Sequence, residues 1–467
     1  MAPTGPLPRH YKRKGTDAVF DDDLDDRRRR RLTPRKLFLV VFFSLLALSL
    51  LDTPIASSYQ RVSHHLCHKT QSVEERARSI LKHTPLIDGH VDFPIALRFA
   101  YGNHIYNETF REKFENGNLL GHVDLPRLRE GQSGGAFWSV FAPCPSNITD
   151  FSDENYAAAL QFTLDQIDVT NRLRALYSKD FSQSSDSHGA LQDFKQGKLI
   201  SPLGVEGLHQ IANSVSNLRT FYALGVRYAT LTHNCNNKFA DAASFGDRKA
   251  DPVWGGVSPL GQQIVHEMNR LGMIVDLSHV SDDTMVHTLG GRDDWSGSQA
   301  PVIFSHSSAW SVCPHPRNVK DHVLQLVKAR NSLVMVNIAP EFISCIDNGN
   351  ESGIPDFDPE HSNLDQVVKH IMHIGELIGY DHVGIGSDFD GISSVPEGFE
   401  DVSKYPDLIA ELLRRGVSDA DAAKIVGGNA LRVWGEVEAV AAKMQQAGAY
   451  IMEDERPAMF SGLAFTD

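Results

Sequence analysis

Seven side chains able to bind a metal or carry a proton stand where apolar runs stop. Leu86-Ile87-Asp88-Gly89-His90-Val91-Asp92 delivers His90 and Asp92, and Leu203-Gly204-Val205-Glu206 delivers Glu206. Tyr228-Ala229-Thr230-Leu231-Thr232-His233, Ile274-Val275-Asp276-Leu277-Ser278-His279 and Val302-Ile303-Phe304-Ser305-His306 each end on histidine. Val383-Gly384-Ile385-Gly386-Ser387-Asp388 ends on aspartate. Imidazole and carboxylate together suit a divalent ion such as zinc. His90 and Asp92 are two apart, so on an extended strand both face one side. Alone, that pair is explained as well by a chance hydrogen-bonded couple. With Glu206, His279 and His306 at equivalent strand ends, three histidines and two carboxylates exceed what one tetrahedral ion takes. Sharing Glu206 lets the five hold two ions, with water in the open positions.

His233 and Asp388 leave two readings open. Either serves as a sixth ligand. In the sharper reading, Asp388 shuttles a proton from the attacking water to the leaving group. His233 then donates to the oxyanion of a tetrahedral intermediate; its plainer role is a structural histidine bonded to a backbone carbonyl. Asp390, before Gly391, suits a turn. Arg317, in Cys313-Pro314-His315-Pro316-Arg317-Asn318-Val319, suits either a surface salt bridge or a bidentate clamp on a substrate carboxylate.

Residues this far apart in sequence need a scaffold that gathers strand ends. Eight apolar strand candidates occur, at 85–91, 135–142, 200–206, 227–233, 273–278, 301–305, 332–338 and 382–387. Helical spacing follows the second at 155–176, the third at 208–224, the fourth at 260–271 and the fifth at 282–289. It recurs at 322–330, at 364–377, and at 408–415 with 420–426. Helices between successive strands imply crossovers and a parallel sheet. Eight such units predict an α/β fold, a (β/α)8 TIM-type barrel with insertions, whose strand C-termini meet at one mouth. An open doubly wound sheet is the alternative, but no GxGxxG follows the first strand.

The chain of 467 residues has a net charge of -14, and residues 1–36 carry 11 Lys/Arg against 6 Asp/Glu, so the rest is more acidic still. An acidic body argues against nucleic acid as a partner. The polar stretch 1–36 reads as a disordered cytoplasmic tail, and 37–51 is almost wholly apolar. That run is short for a spanning helix and long enough for a signal core. With basic residues before it, a signal anchor is expected, leaving the tail inside and the body extracellular or luminal. Cleavage near Ala56-Ser57-Ser58, giving a secreted body, is the rival. A linker at 52–71, a catalytic body at 72–440 and an extension at 441–467 complete the expected organisation. Asn107, Asn147 and Asn350 head glycosylation sequons. Five cysteines, Cys67, Cys144, Cys235, Cys313 and Cys345, form no CxxC. In an oxidising compartment they allow two disulfides with one cysteine left over; otherwise they are reduced thiols.

Several phrases resemble, in order, those of the membrane (renal) dipeptidase family, binuclear zinc enzymes on an amidohydrolase-type barrel. They are Asp88-Gly89-His90-Val91-Asp92, Gly204-Val205-Glu206-Gly207, Thr230-Leu231-Thr232-His233-Asn234, Asp276-Leu277-Ser278-His279, Phe304-Ser305-His306-Ser307, Arg317-Asn318-Val319 and Gly386-Ser387-Asp388-Phe389-Asp390-Gly391. Glu397-Gly398-Phe399-Glu400-Asp401-Val402 and Gly427-Gly428-Asn429-Ala430 extend the likeness. The resemblance implies two Zn2+ per chain, His90 and Asp92 on one, His279 and His306 on the other, and Glu206 bridging. It implies substrate contacts from His233, Arg317 on the dipeptide's C-terminal carboxylate, and Asp388 acting on the bridging water and departing amine. It implies the pairs Cys144–Cys235 and Cys313–Cys345, a homodimer, and tolerance of L-D and dehydro-dipeptides. Family members with a lipid anchor differ from this chain, which has an N-terminal apolar segment. The expectation is hydrolysis of dipeptides by a water bridging two zinc ions. Its rivals are an amidohydrolase acting on another amide, lactone or phosphoester, and a tethered scaffold without activity.

Overall fold

The computed structural model describes residues 71–455. The expected tail, the apolar segment 37–51, nearly all of the linker, and Cys67 lie outside them. Among the described residues no helix is long and apolar enough to cross a membrane.

The eight expected strands form. They are β1 (Leu86–Val91), β2 (Ser133–Ser139), β3 (Leu203–Val205), β4 (Val226–Thr230), β5 (Ile274–Asp276), β6 (Ile303–Phe304), β7 (Leu333–Val336) and β8 (Val383–Ile385). All pair in parallel and close into a barrel in the order β1-β8-β7-β6-β5-β4-β3-β2. Asp88 faces Ile385 across the closing seam. Crossover helices such as Asp153–Leu176, Pro259–Leu271 and Leu364–Ile378 follow β2, β4 and β7. Each begins on a side chain that caps a free backbone N–H: Ser152, Ser258 and Asn363.

The strand interiors carry two kinds of residue. Near their N-terminal ends Ile87, Phe137, Tyr228, Ile274, Ile303, Leu333 and Met335 form one apolar cluster. The helix Asn429–Gln446 closes that end with Ala430, Val433, Trp434 and Val437. Trp434 packs its ring 5.7 Å from that of Phe137. The barrel's inside is a packed floor, as burial of apolar area requires. Gly204 makes room for it: a Cβ there would enter the ring of Tyr228.

Three features depart from the periodic pattern. The 208–224 region is a short turn at Leu208–Ile211, left-handed Ala212 and Asn213, then a helix at Val215–Ala223. Gln210 explains the break: its side chain accepts the Glu206 N–H (3.0 Å) and donates to Val140 O and Thr163 Oγ1 (both 2.7 Å). Between β1 and β2 lie three short helices, Phe93–Tyr101, Glu108–Asn116 and Leu125–Glu130. Phe93, Phe110 and Phe114 join the first two to Trp138 of β2. Finally, the C-terminal helix runs unbroken through position 440, and Met452 beyond it is buried.

Candidate active site

At the C-terminal mouth, the strand-end residues turn inward around Glu206. Its Oε1 lies 2.9 Å from His279 Nε2, 3.4 Å from His306 Nε2, 3.6 Å from His90 Nε2 and 3.7 Å from His233 Nε2. His90 Nε2 is also 3.3 Å from Asp92 Oδ2, and His279 Nε2 is 2.9 Å from His306 Nε2. Asp388 has a carboxylate oxygen close enough to share a ligand site with His90 and Asp92. All seven expected residues thus meet in one place. Glu206, His233, Arg317 and Asp388 open onto a cavity of about 420 Å³ walled by Phe141 and Phe342.

In three of these four histidines the ring nitrogen facing away from Glu206 is anchored by an oxygen. His90 Nδ1 lies 2.7 Å from Tyr228 Oη, His279 Nδ1 2.8 Å from Asn234 Oδ1, and His306 Nδ1 2.8 Å from Ser305 Oγ. An amide oxygen only accepts, so His279 carries its proton on Nδ1 and turns the bare Nε2 toward Glu206. The sequence pointed to the residues that converge here and missed these holders. Asn234 and Ser305 stand directly beside expected site histidines, whereas Tyr228, reaching in from β4, carries no local sign.

The backbone is bent to aim the donors. His279 (φ 64°) and Asp388 (φ 68°) are in the left-handed region. For residues with a Cβ this costs about 1–3 kcal/mol each and persists only when neighbours enforce it. The enforcing bonds are Ala243 N–H to His279 O (2.7 Å) and Asp388 N–H to His90 O (3.0 Å). Asp390 makes the expected turn and also locks a neighbouring loop. Its Oδ1 accepts the His122 N–H at 2.6 Å, and its own N–H donates to His122 Nδ1 at 2.9 Å.

Burial raises the Glu206 carboxyl to about 7 against the pull of His90, with Asp92 and Asp388 pushing the same way as burial. Asp388 rises to about 6, chiefly by burial and Asp92, while His90 and Arg317 oppose the rise. Burial, joined by the Arg317 charge, holds His279, His306 and His233 well below the usual imidazole range, so they are neutral. Burial also opposes protonation of His90, but Tyr228, Glu206 and Asp92 outweigh it and raise that histidine. Carboxylates packed this closely, beside three neutral histidines, suit a cation. The chemistry of the donor set fits a metal, and so do His90 Nε2 and Asp92 Oδ1, buried without a hydrogen-bond partner among the described residues.

Arg317 is no surface salt bridge. It is 1% exposed, and its three guanidinium nitrogens have no hydrogen-bond partner among the described residues. Burial lowers it to about 10, with Asp388, Glu206 and Asp276 acting to keep it charged. Its guanidinium carbon sits 5.1 Å from the Phe342 ring centre. The disulfide Cys313–Cys345 ties the loop bearing Arg317 to a hairpin of Cys345–Ile346 with Asp356–Phe357. A second disulfide, Cys144–Cys235, joins the segments after β2 and β4, with Cys144 Sγ 3.8 Å from His233 Nδ1.

Residues 74–448 match the family described as membrane dipeptidase, peptidase family M19. The chain belongs to the membrane dipeptidase family. Its relatives include an uncharacterized dipeptidase of Schizosaccharomyces pombe, 49% identical over 78% of this chain and 84% of that protein. Another is the dipeptidase tcpJ of Claviceps purpurea, 43% identical over 80% and 81%. The barrel resembles the probable dipeptidase PvdM of Pseudomonas aeruginosa, with TM-score 0.66 and 24% identity over 79% of this chain and 99% of that one. It also resembles a metallo peptidase of Rhodobacter sphaeroides solved with a phosphinate mimic of the dipeptide L-Ala-D-Ala, with TM-score 0.64 and 23% identity over 76% and 99%. This membrane dipeptidase family member is a hydrolase of dipeptides; the family implies a metal cofactor, and the histidine–carboxylate cluster has the donors to hold one.

Proposed function

We propose that the chain is a binuclear zinc dipeptidase, with His90 and Asp92 on one ion, His279 and His306 on the other, and Glu206 shared. The observation that carries this is the convergence of four imidazole Nε2 atoms within 3.7 Å of a single Glu206 oxygen. When bound, the two ions supply Lewis acidity and a water of lowered pKa.

The chain's own residues do the rest. Arg317 receives the substrate's free carboxylate, which supplies the hydrogen-bond partners its guanidinium lacks among the described residues. The distance from Arg317 to the histidine cluster then selects for two residues, so longer peptides fit poorly. Neutral His233, with its ring edge-on to Phe141, donates a hydrogen bond to the developing oxyanion and keeps its proton. Asp388, near 6 and fixed by Asn337 Nδ2 at 2.9 Å, takes a proton from water and returns it to the departing amine at neutral pH. The open cavity beside Arg317 favours tolerance of D-residues and dehydro-residues at the second position.

Two disulfides and exposed Asn107, Asn147 and Asn350 support a body on the oxidising side of a membrane, tethered by 37–51.

The test is hydrolysis of a glycyl-dehydrophenylalanine-type dipeptide as purified, after chelation, and after zinc is restored. Activity lost with chelator and regained with zinc is the expected result. Full activity in protein stripped of metal rejects the reading. Tripeptides cleaved at dipeptide-like rates reject the two-residue selection.

A further inference from the structure

The three anchored histidines are held by groups of different kinds: a phenol at His90, an amide at His279, and at His306 a hydroxyl that leads to a buried carboxylate. Asp276, at the end of β5, is fully buried. Its Oδ1 accepts the N–H groups of Ser305 (2.7 Å) and Ser278 (3.1 Å), and its Oδ2 accepts the hydroxyls of Thr230 (2.5 Å) and Ser305 (2.7 Å). The Ser305 hydroxyl has one proton. Its contact with Ser278 Oγ, at 3.3 Å, is the longer alternative, so that proton goes to Asp276. Ser305 Oγ can then only accept from His306 Nδ1. The proton sits on Nδ1, and Nε2 presents a lone pair toward Glu206.

We propose that Asp276 and Ser305 are positioning residues that fix the tautomer of His306 through a carboxylate–hydroxyl–imidazole relay, and so set the affinity of this site for its metal. The inference rests on the reading that His306 is a ligand. It adds two residues that touch neither substrate nor ion. The carboxylate also puts a negative charge behind His306 that the amide of Asn234 does not put behind His279.

The polarity of the relay can be reversed without changing its shape. In Asp276→Asn, the amide oxygen can keep the two backbone bonds at Oδ1. The amide nitrogen at Oδ2 then donates to Thr230 and Ser305. Ser305 must turn its proton onto His306 Nδ1, and the ring moves its own proton to Nε2, aimed at Glu206. Ser305→Ala removes the relay oxygen and leaves Asp276 its other bonds. Thr230→Val removes a hydroxyl from the same carboxylate and leaves the relay intact.

The measurements are the His306 tautomer, by 15N NMR of metal-stripped, histidine-labelled protein, and zinc affinity by chelator competition. Wild type should show His306 protonated at Nδ1, and Asp276→Asn at Nε2. The zinc dissociation constant of one of two ions should rise about 10–100-fold in Asp276→Asn, and in the same direction in Ser305→Ala. Thr230→Val should stay within about threefold, because it costs only ordinary hydrogen-bond stability. If Asp276→Asn does not fold, the contrast between Ser305→Ala and Thr230→Val decides. Equal affinity loss in those two, or an unchanged tautomer and affinity in Asp276→Asn, overturns the relay alone. A wild type that binds no zinc overturns the metal reading and the relay with it.

Discussion

The same eight strands build two opposite environments a few residues apart. At the N-terminal end, Ile87, Ile274, Ile303 and Leu333 meet Trp434 and Val437 in a wholly apolar floor. At the C-terminal end, His90, Glu206, His279, His306 and Asp388 are also buried but polar and charged. The floor gains free energy from area removed from water and needs no particular geometry beyond volume. The mouth is costly in itself. Carboxylates are pushed up by burial, a guanidinium lacks hydrogen-bond partners among the described residues, and two backbones sit in left-handed conformations. Stability is therefore supplied at one end of each strand and consumed at the other, as expected where a rigid scaffold carries a reactive site.

The largest effect should come from breaking the mouth at its centre. Glu206→Gln should drop hydrolysis to background while the melting temperature holds or rises, since a buried charge is removed. A matching loss of fold would show instead that Glu206 is structural. The complementary break is at the floor. Trp434→Ala should cost about 3–5 kcal/mol in denaturant unfolding. The folded fraction should keep its KM; a changed KM would mean that the two ends are coupled. Next, Arg317→Ala should raise KM for dipeptides about 10–100-fold, the worth of a charge-assisted pair. It should leave C-terminally amidated substrates unaffected and should not destabilise the protein. An equal KM rise for both substrates would remove Arg317 from carboxylate recognition.

The smallest effect at neutral pH concerns a buried histidine outside both ends. His370 Nδ1 accepts the Ala309 N–H at 3.0 Å, and its Nε2–H donates to Ile343 O at 2.9 Å, so both bonds need the neutral ring. Burial lowers it to about 4. Its folded pKa lies below the unfolded value near 6.5, so the unfolded chain takes up the proton first as pH falls. The stability it contributes is complete above about 6.5 and is lost as pH falls toward 4. Urea titrations across that window should show a flatter pH dependence in His370→Gln than in wild type. Identical slopes would exclude His370 as a source of acid sensitivity.

Much of this was legible because the signals were local. Apolar runs bounded by polar residues placed all eight strands, and their last residues are the ones that converge at the mouth. The disulfide pairs that the structure contains came from the family resemblance and not from any local spacing. Less legible was anything set by distant partners. The helical spacing of 208–224 gave no sign that Gln210 would leave the helix to hold Glu206. The aromatic cluster between β1 and β2 joins short helices with little periodicity of their own. Arg317 fitted a surface ion pair on sequence grounds, and only burial separates the two roles.

What the sequence by itself determined is the alternation of strand and helix and the identity of the chemical groups at the strand ends. Hydrophobic periodicity acts over a few residues and needs no knowledge of neighbours. Tertiary structure alone decided which nitrogen of each histidine faces Glu206, because Tyr228, Asn234 and Ser305 must first arrive at the opposite ring atom. It also decided that the barrel floor is sealed by Asn429–Gln446, a helix far in sequence from most of the strands it covers. Closing the sheet brings these distant groups to hydrogen-bonding distance, and at that range direction and burial, rather than composition, set the chemistry.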